Sequence, residues 1–133
     1  MRIDAPINTG RIVLFAFLTA LIMKAFLFDF VIADGRSMVP AIAPGTVLVV
    51  NRLAYGVRLP GTRKYLLRWS LPKAGDVVIF FTPQGQLAVK RCGMIMGEGN
   101  FFALGDNRLE SYDSRSYGPV SSDSVMGKVM GIK

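Results

Sequence analysis

The chain has no histidine. That absence removes the Ser-His-Asp triad, cysteine–histidine pairs and the common zinc sites together. A single cysteine, Cys92, excludes an intramolecular disulfide and a cysteine metal cluster, and it is expected to be a small core residue. Acids are scarce, with nine against sixteen Lys and Arg for a formal net charge of +7, and none lies between Met38 and Gly75. There is no internal repeat, no low-complexity tract and, beyond residue 28, no sustained helical period. If a serine or the cysteine acts as a nucleophile, its base must therefore be a carboxylate or a lysine.

What is abundant is apolar surface. At 133 residues the chain is long enough for one domain, and 51% of it is apolar, high for a soluble protein of that size. Ile12 to Phe28 is 17 residues broken only by Thr19 and Lys24. As a helix it reaches about 26 Å, near the ~30 Å of bilayer hydrocarbon. A cleaved export leader competes with this reading, but no small-residue cleavage site precedes a plausible mature domain. Lys24 sits close enough to the helix end to snorkel to the interface. Arg2, Arg11 and the terminal amine precede the span, whereas only Arg36, beside Asp29 and Asp34, follows closely. The expected order is a cytoplasmic terminus over 1–7, an anchor over 8–28 and an exported domain over 29–133.

The exported part reads as a small, mainly β, antiparallel, barrel-like structure. Phe28 to Ala33 is aromatic and β-branched and ends at the turn Asp34-Gly35-Arg36-Ser37. Thr46–Asn51 follows Pro44-Gly45, and Asp76–Phe81 follows Ala74-Gly75, so both are expected to be buried strands. Pro83-Gln84-Gly85-Gln86 separates the second from Leu87–Cys92 as a four-residue hairpin loop. Asn100–Leu104 and Val125–Ile132 complete the strands.

Arg52, Arg58, Arg63, Lys64, Arg68 and Lys73 are interleaved with Tyr55, Tyr65 and Trp69. A basic, aromatic, leucine-bearing stretch close to a bilayer suits anionic lipid headgroups better than nucleic acid, with a solvated basic loop as the alternative. Residues 105 to 120 form a polar run of hydroxyls, carboxylates and arginines between two apolar stretches. Threaded through a core, its groups need specific partners, which suits a segment that orients a site. Strand alternation puts Lys90 on one face with Ala88 and Cys92, and Arg91 on the other with Val89. A lysine among small apolar neighbours loses its charge more readily and can take a proton from a serine, although most strand lysines face solvent.

Three elements then occur in order: Ser37-Met38-Val39-Pro40 after the span, Lys90-Arg91 late in a strand, and Gly-Asp-Asn-x-x-x-Ser-x-Asp-Ser-Arg-x-x-Gly from Gly105 to Gly118. Together they resemble the bacterial type I signal peptidases, over nearly the whole chain. The resemblance implies a serine–lysine endopeptidase on a β scaffold, anchored once in the bacterial inner membrane and cutting signal peptides from preproteins on the exported side, with no cofactor or metal. Ser37 matches the nucleophile, Lys90 the general base and Ser111 the hydroxyl that orients the amine. Asp113 and Arg115 match a supporting pair, and Asp106, Asn107, Ser114 and Gly118 match positions that shape the segment. Small side chains one and three residues before the cut are implied, and Met38, Ile42, Ala88 and Val89 are expected to line their pockets or else to belong to the core. The substrate would add as a strand near Lys90.

The chain also departs from the family pattern. Gly35 stands where many relatives carry a serine that donates to the oxyanion, leaving the Ser37 N–H and a second donor unidentified. Ala41 replaces a common threonine. The Gly-x-Pro-Gly-Asp run is reduced to Gly93–Gly99, and the 20 residues between Lys90 and Ser111 leave no room for the second β-subdomain of larger members. A processing peptidase of a conjugation or pilus system, and a catalytically dead binding module, are the competing readings.

Overall fold

The computed structural model describes residues 8–132. The cytoplasmic terminus expected over residues 1–7 lies outside them. Helix α1 runs Thr9–Phe26, with Asn8 as its N-cap and Lys24 in its last turn, and it buries none of its residues against the rest of the chain. Its length and composition suffice to cross a membrane. Leu14, Phe15, Phe17 and Ile22 are all exposed, a costly arrangement in water that a hydrocarbon environment removes.

Nine strands follow: β1 Phe28–Ile32, β2 Val47–Asn51, β3 Gly56–Arg58, β4 Tyr65–Arg68, β5 Val77–Phe81, β6 Leu87–Met96, β7 Asn100–Leu104, β8 Val120–Ser121 and β9 Val125–Val129. One four-residue helix, α2 (Ser114–Tyr117), interrupts the polar segment. Seven strands form a curled antiparallel sheet in the order β1-β2-β9-β5-β6-β7-β8, and β3-β4 form a separate hairpin. The fold is therefore mainly β, a half-barrel preceded by one apolar helix.

The centre of the sheet is β5, whose Val77, Val78, Ile79 and Phe80 are all buried. Alternation sends Val78 and Phe80 into a cluster with Cys92, Phe101, Ala103 and Val125, while Val77 and Ile79 join Met38, Ile42, Leu48 and Val129 on the other face. A strand buried on both faces reads as a continuous apolar run, which is why Asp76–Phe81 is conspicuous in the sequence. Strand β6 is longer than expected: it continues through the degraded Gly93–Gly99 run to Met96 and pairs with β7 across a bulge.

The basic stretch is a hairpin rather than a loop, and half of its cations are committed. Arg58 is buried, donates to the Val125 carbonyl and lies over the Tyr65 ring. Arg68 covers the same ring, hydrogen-bonds Ser122 and pairs with Asp123, and Arg52 lies 3.8 Å from Asp29. The sequence pattern misses this hairpin because β3 has only three residues and β4 mixes cations with leucines, so neither shows period-two alternation.

Candidate active site

The segment after β7 returns across the sheet and is fixed by one buried carboxylate. Asp113 has no exposed surface. Its oxygens accept from the Arg115 side chain at 2.9 and 2.5 Å, the Ser111 hydroxyl at 2.6 Å and the Gly105 N–H at 2.8 Å. It also caps α2 by accepting from the Arg115 N–H. Burial alone would raise its pKa, but the Arg115, Ser111 and Gly105 hydrogen bonds outweigh that and hold it well below the usual carboxylate range. Ser114 Oγ accepts from the Ala103 N–H at 2.9 Å and ties α2 to β7.

The same segment grips the turn that carries Ser37. The Asn107 N–H donates to the Ser37 carbonyl at 2.9 Å, and its side-chain amide donates to the Arg36 carbonyl at 3.1 Å. Arg36 reaches Glu110 at 3.4 Å. Gly105 is where the two strands of chain come closest. A Cβ there would lie 2.0 Å from Ser111 Oγ and 2.7 Å from the Ser37 carbonyl oxygen, so no other residue fits without displacing both. Gly35 instead has φ +78° with open space around its missing Cβ, a conformation that disfavours the serine some relatives place there. Its N–H donates to its neighbour, Asp34.

Lys90 lies in β6 opposite Val78 and is 6% exposed, between the positions of Ala88 and Cys92 on the core face. Burial lowers its pKa from the ordinary amine value of 10.5; the Asp113 charge opposes that and Arg115 adds to it. The Ser111 hydroxyl donates its hydrogen bond to Asp113, so its lone pairs remain to accept from an amine. Arg91 points away, forking Asp106 at 2.9 and 2.8 Å and reaching the Gly75 carbonyl.

Ser37 and Lys90 open into one cavity of about 450 Å³. Val31, Ile32, Asp34 and Gly35 form one wall, and Thr82, Gln86, Leu87 and Ala88 the other, with Val89, Glu110 and Tyr112 also lining it. Both walls carry unpaired backbone. Among the described residues β1 is the sheet's outermost strand and pairs only with β2. Residues 87–90 of β6 pair with β5 alone, because β7 joins only from Arg91. An extended peptide can hydrogen-bond to either edge.

Of the expected pocket residues, Ala88 and Val89 line this groove. Met38 and Ile42 lie instead in the buried cluster against which Val89 packs. Thr82, Glu110 and Tyr112 are groove residues that sequence reasoning missed; only folding brings their loops to the edge of β6. No group of three or more potential metal ligands occurs among the described residues.

The sequence matches the family described as "Signal peptidase, peptidase S26" over residues 7–98 and 92–132. The chain belongs to that family. It is a serine endopeptidase by that membership. A signal peptidase I of Bacillus caldolyticus is 27% identical over 146 residues, covering 80% of each chain. A mitochondrial inner membrane protease subunit 2 of Schizosaccharomyces pombe is 31% identical, covering 74% of this chain and 61% of its own. A signal peptidase I of Buchnera aphidicola from Schizaphis graminum is 32% identical over 72 residues, which is 53% of this chain but 23% of the relative. The match thus spans most of the Bacillus protein and under a quarter of the Buchnera one.

Proposed function

We propose that this chain is a membrane-anchored endopeptidase that removes signal peptides from exported preproteins, with Ser37 as nucleophile and neutral Lys90 as general base. The observation that carries the reading is a buried lysine of lowered pKa opening into the same strand-edged groove as Ser37, backed by the Asp113–Arg115 pair.

In the groove, an extended substrate pairs with the β6 edge at 87–90, which fixes the scissile carbonyl relative to Ser37. Ser37 Oγ attacks the carbonyl carbon as its proton passes to Lys90 Nζ. The same proton then goes to the departing amine, leaving an ester on Ser37. Lys90, neutral again, takes a proton from water as the water attacks the ester carbonyl, and returns that proton to Ser37 Oγ as the acid product leaves. A lysine amine rotates freely and has no second nitrogen to fix it. Ser111 supplies the acceptor, and Asp113 holds Ser111 in place by accepting its hydroxyl hydrogen bond. Around the developing oxyanion Gly35 offers no hydroxyl, so the Ser37 N–H, which has no hydrogen-bond partner among the described residues, carries that role. Ala88 lines the groove beside Lys90 and is the position at which the size of a substrate side chain would be gauged.

α1 serves as the anchor, with its amino terminus cytoplasmic and residues 29–133 exported. The test is cleavage of a preprotein with an Ala-x-Ala junction by purified wild type, Ser37→Ala and Lys90→Ala in detergent near pH 8, with product masses determined. Cutting after the second alanine by wild type alone is expected. Equal cutting by the variants, or cutting elsewhere, overturns the dyad assignment.

A further inference from the structure

The outer face of β6 and β7 carries a hollow that the proposed catalysis does not use. The two strands pair at Arg91 with Leu104 and at Cys92 with Ala103, and next at Ile95 with Phe101, so Gly93 and Met94 stand against Phe102 alone. Such a bulge breaks the alternation of a strand. A Cβ at Gly93 would lie 2.7 Å from the Leu104 side chain, so the missing side chain leaves room for that leucine to lie against the strand. Gly93 and Leu104 border a hollow of about 750 Å³, with Met94, Met96 and Phe102 as its other apolar walls.

Met94 is 69% exposed and Met96 41%, apolar surface that water solvates at a cost. The hollow has the size of a small-molecule site, typically about 300–1,000 Å³. Methionine thioethers adapt to irregular bodies and favour aromatic rings, and Phe102 offers a ring of its own. None of the lining residues borders the cavity into which Ser37 and Lys90 open.

Three guanidiniums and one carboxylate also line it: Arg91, Arg108, Arg115 and Asp106. Arg91 forks Asp106, which matches those two charges. Arg115 bonds Asp113 through Nε and one terminal nitrogen, and its other terminal nitrogen has no partner among the described residues. Arg108 is exposed and has no hydrogen-bond or ion-pair partner among the described residues. An apolar hollow with one unmatched cation and spare guanidinium N–H groups complements a carboxylate on an apolar body. A hydrocarbon lacks the charge, and an inorganic anion lacks the body.

We infer that the outer face of β6 and β7 is a binding site for a small aryl carboxylate, its ring against Met94, Met96 and Phe102 and its carboxylate on Arg108 and the spare nitrogen of Arg115. Gly105 also borders the hollow. An occupant therefore touches two residues that position Ser111, Gly105 by close approach and Arg115 through Asp113, without entering the groove. The site is a property of the sheet and does not depend on the Ser37–Lys90 dyad.

Methionine methyl resonances provide the test. The full chain, isotope-labelled at its methionine methyl groups and held in detergent micelles, is titrated with phenylbutyrate, with the neutral phenylbutyramide and with butyrate. Met94 and Met96 report the hollow, while Met23 in α1 and the exposed Met130 report uptake by the micelle. Expected are saturable shifts of Met94 and Met96 with one dissociation constant, and a stationary Met23 and Met130. The amide, which lacks the charge, and butyrate, which lacks the ring, are each expected to bind about tenfold more weakly or worse, as is phenylbutyrate to Arg108→Gln. Unmoved Met94 and Met96 overturn the site. Shifts that do not saturate, or that Met23 shares, reveal partition into the micelle and overturn it as well. Equal binding of the amide or of butyrate, or full affinity in Arg108→Gln, overturns the assigned ligand chemistry and with it the proposal. Circular dichroism melts establish that the variant is folded. Peptide cleavage enters none of these readouts, so failure of the dyad would leave the result standing.

Discussion

At Lys90, the proposed general base, one buried side chain would link folding to chemistry. The protonated amine is disfavoured in the fold, so its pKa falls below 10.5. Between the folded value and 10.5 the unfolded chain binds a proton that the native chain does not, and stability therefore rises with pH across that window. Lys90→Met, with no charge to bury, is expected to melt above wild type at neutral pH, with the gap closing as pH approaches 10.5. A gap constant in pH would sink this account. If Lys90 is the base, kcat/KM is expected to rise as pH passes upward through the folded Lys90 pKa, and Lys90→Arg, which stays protonated, is expected to be inactive at every pH. Gly105 is the second decisive residue. Gly105→Ala pushes a methyl into Ser111 Oγ and the Ser37 carbonyl. It should cost about 1–3 kcal/mol of stability and lower kcat/KM by more than a hundredfold. Near-wild-type turnover would show that the two loops are not held in register by this contact.

Among the elements, β6 has the most varied role. One face of it packs Ala88 and Cys92 toward one core cluster and Val89 packs toward the other, while its edge at 87–90 stays unpaired beside the groove. Enlarging a half-buried position on this edge changes the groove more than the core. Ala88→Leu is expected to shift the melting midpoint by no more than a few degrees, yet to reduce kcat/KM for Ala-x-Ala substrates at least tenfold, with a smaller loss when glycine replaces the alanine before the cut. Equal losses for both substrates would mean that Ala88 does not gauge side-chain size. The polar segment behaves as an element of its own. Its one helical turn, α2, exists because Asp113 caps it and Ser114 bonds to Ala103, which is more tertiary support than a four-residue helix can supply alone.

For the molecule as a whole, α1 and the half-barrel divide the work without sharing a core. No residue of α1 is buried, so deleting residues 1–26 is expected to leave the melting midpoint within about 3 °C, less than a 1 kcal/mol change would produce in a domain of about 100 residues. A larger drop by scanning fluorimetry would reveal packing of α1 on the sheet. The half-buried Asp76, which accepts from Tyr55 and Lys128, joins the chain ahead of the hairpin, β9 and the start of β5 into one unit, so the half-barrel should unfold in a single transition.

The sequence by itself determined the long apolar helix, most strands of the sheet and the candidate dyad. Each depends on local composition or short spacing: a 17-residue apolar run, β-branched runs behind Gly turns, and a lysine on a strand face in a chain without histidine. Tertiary structure alone decided which polar groups meet. That Asn107 grips the Ser37 turn, that Thr82 and Tyr112 border the groove, that Met38 and Ile42 lie beneath it and that Arg58 and Arg68 turn inward all depend on contacts between residues dozens of positions apart. Side-chain type records what a residue is able to do, but its partner is chosen by the path of the backbone, and that path is set by burying the two faces of β5.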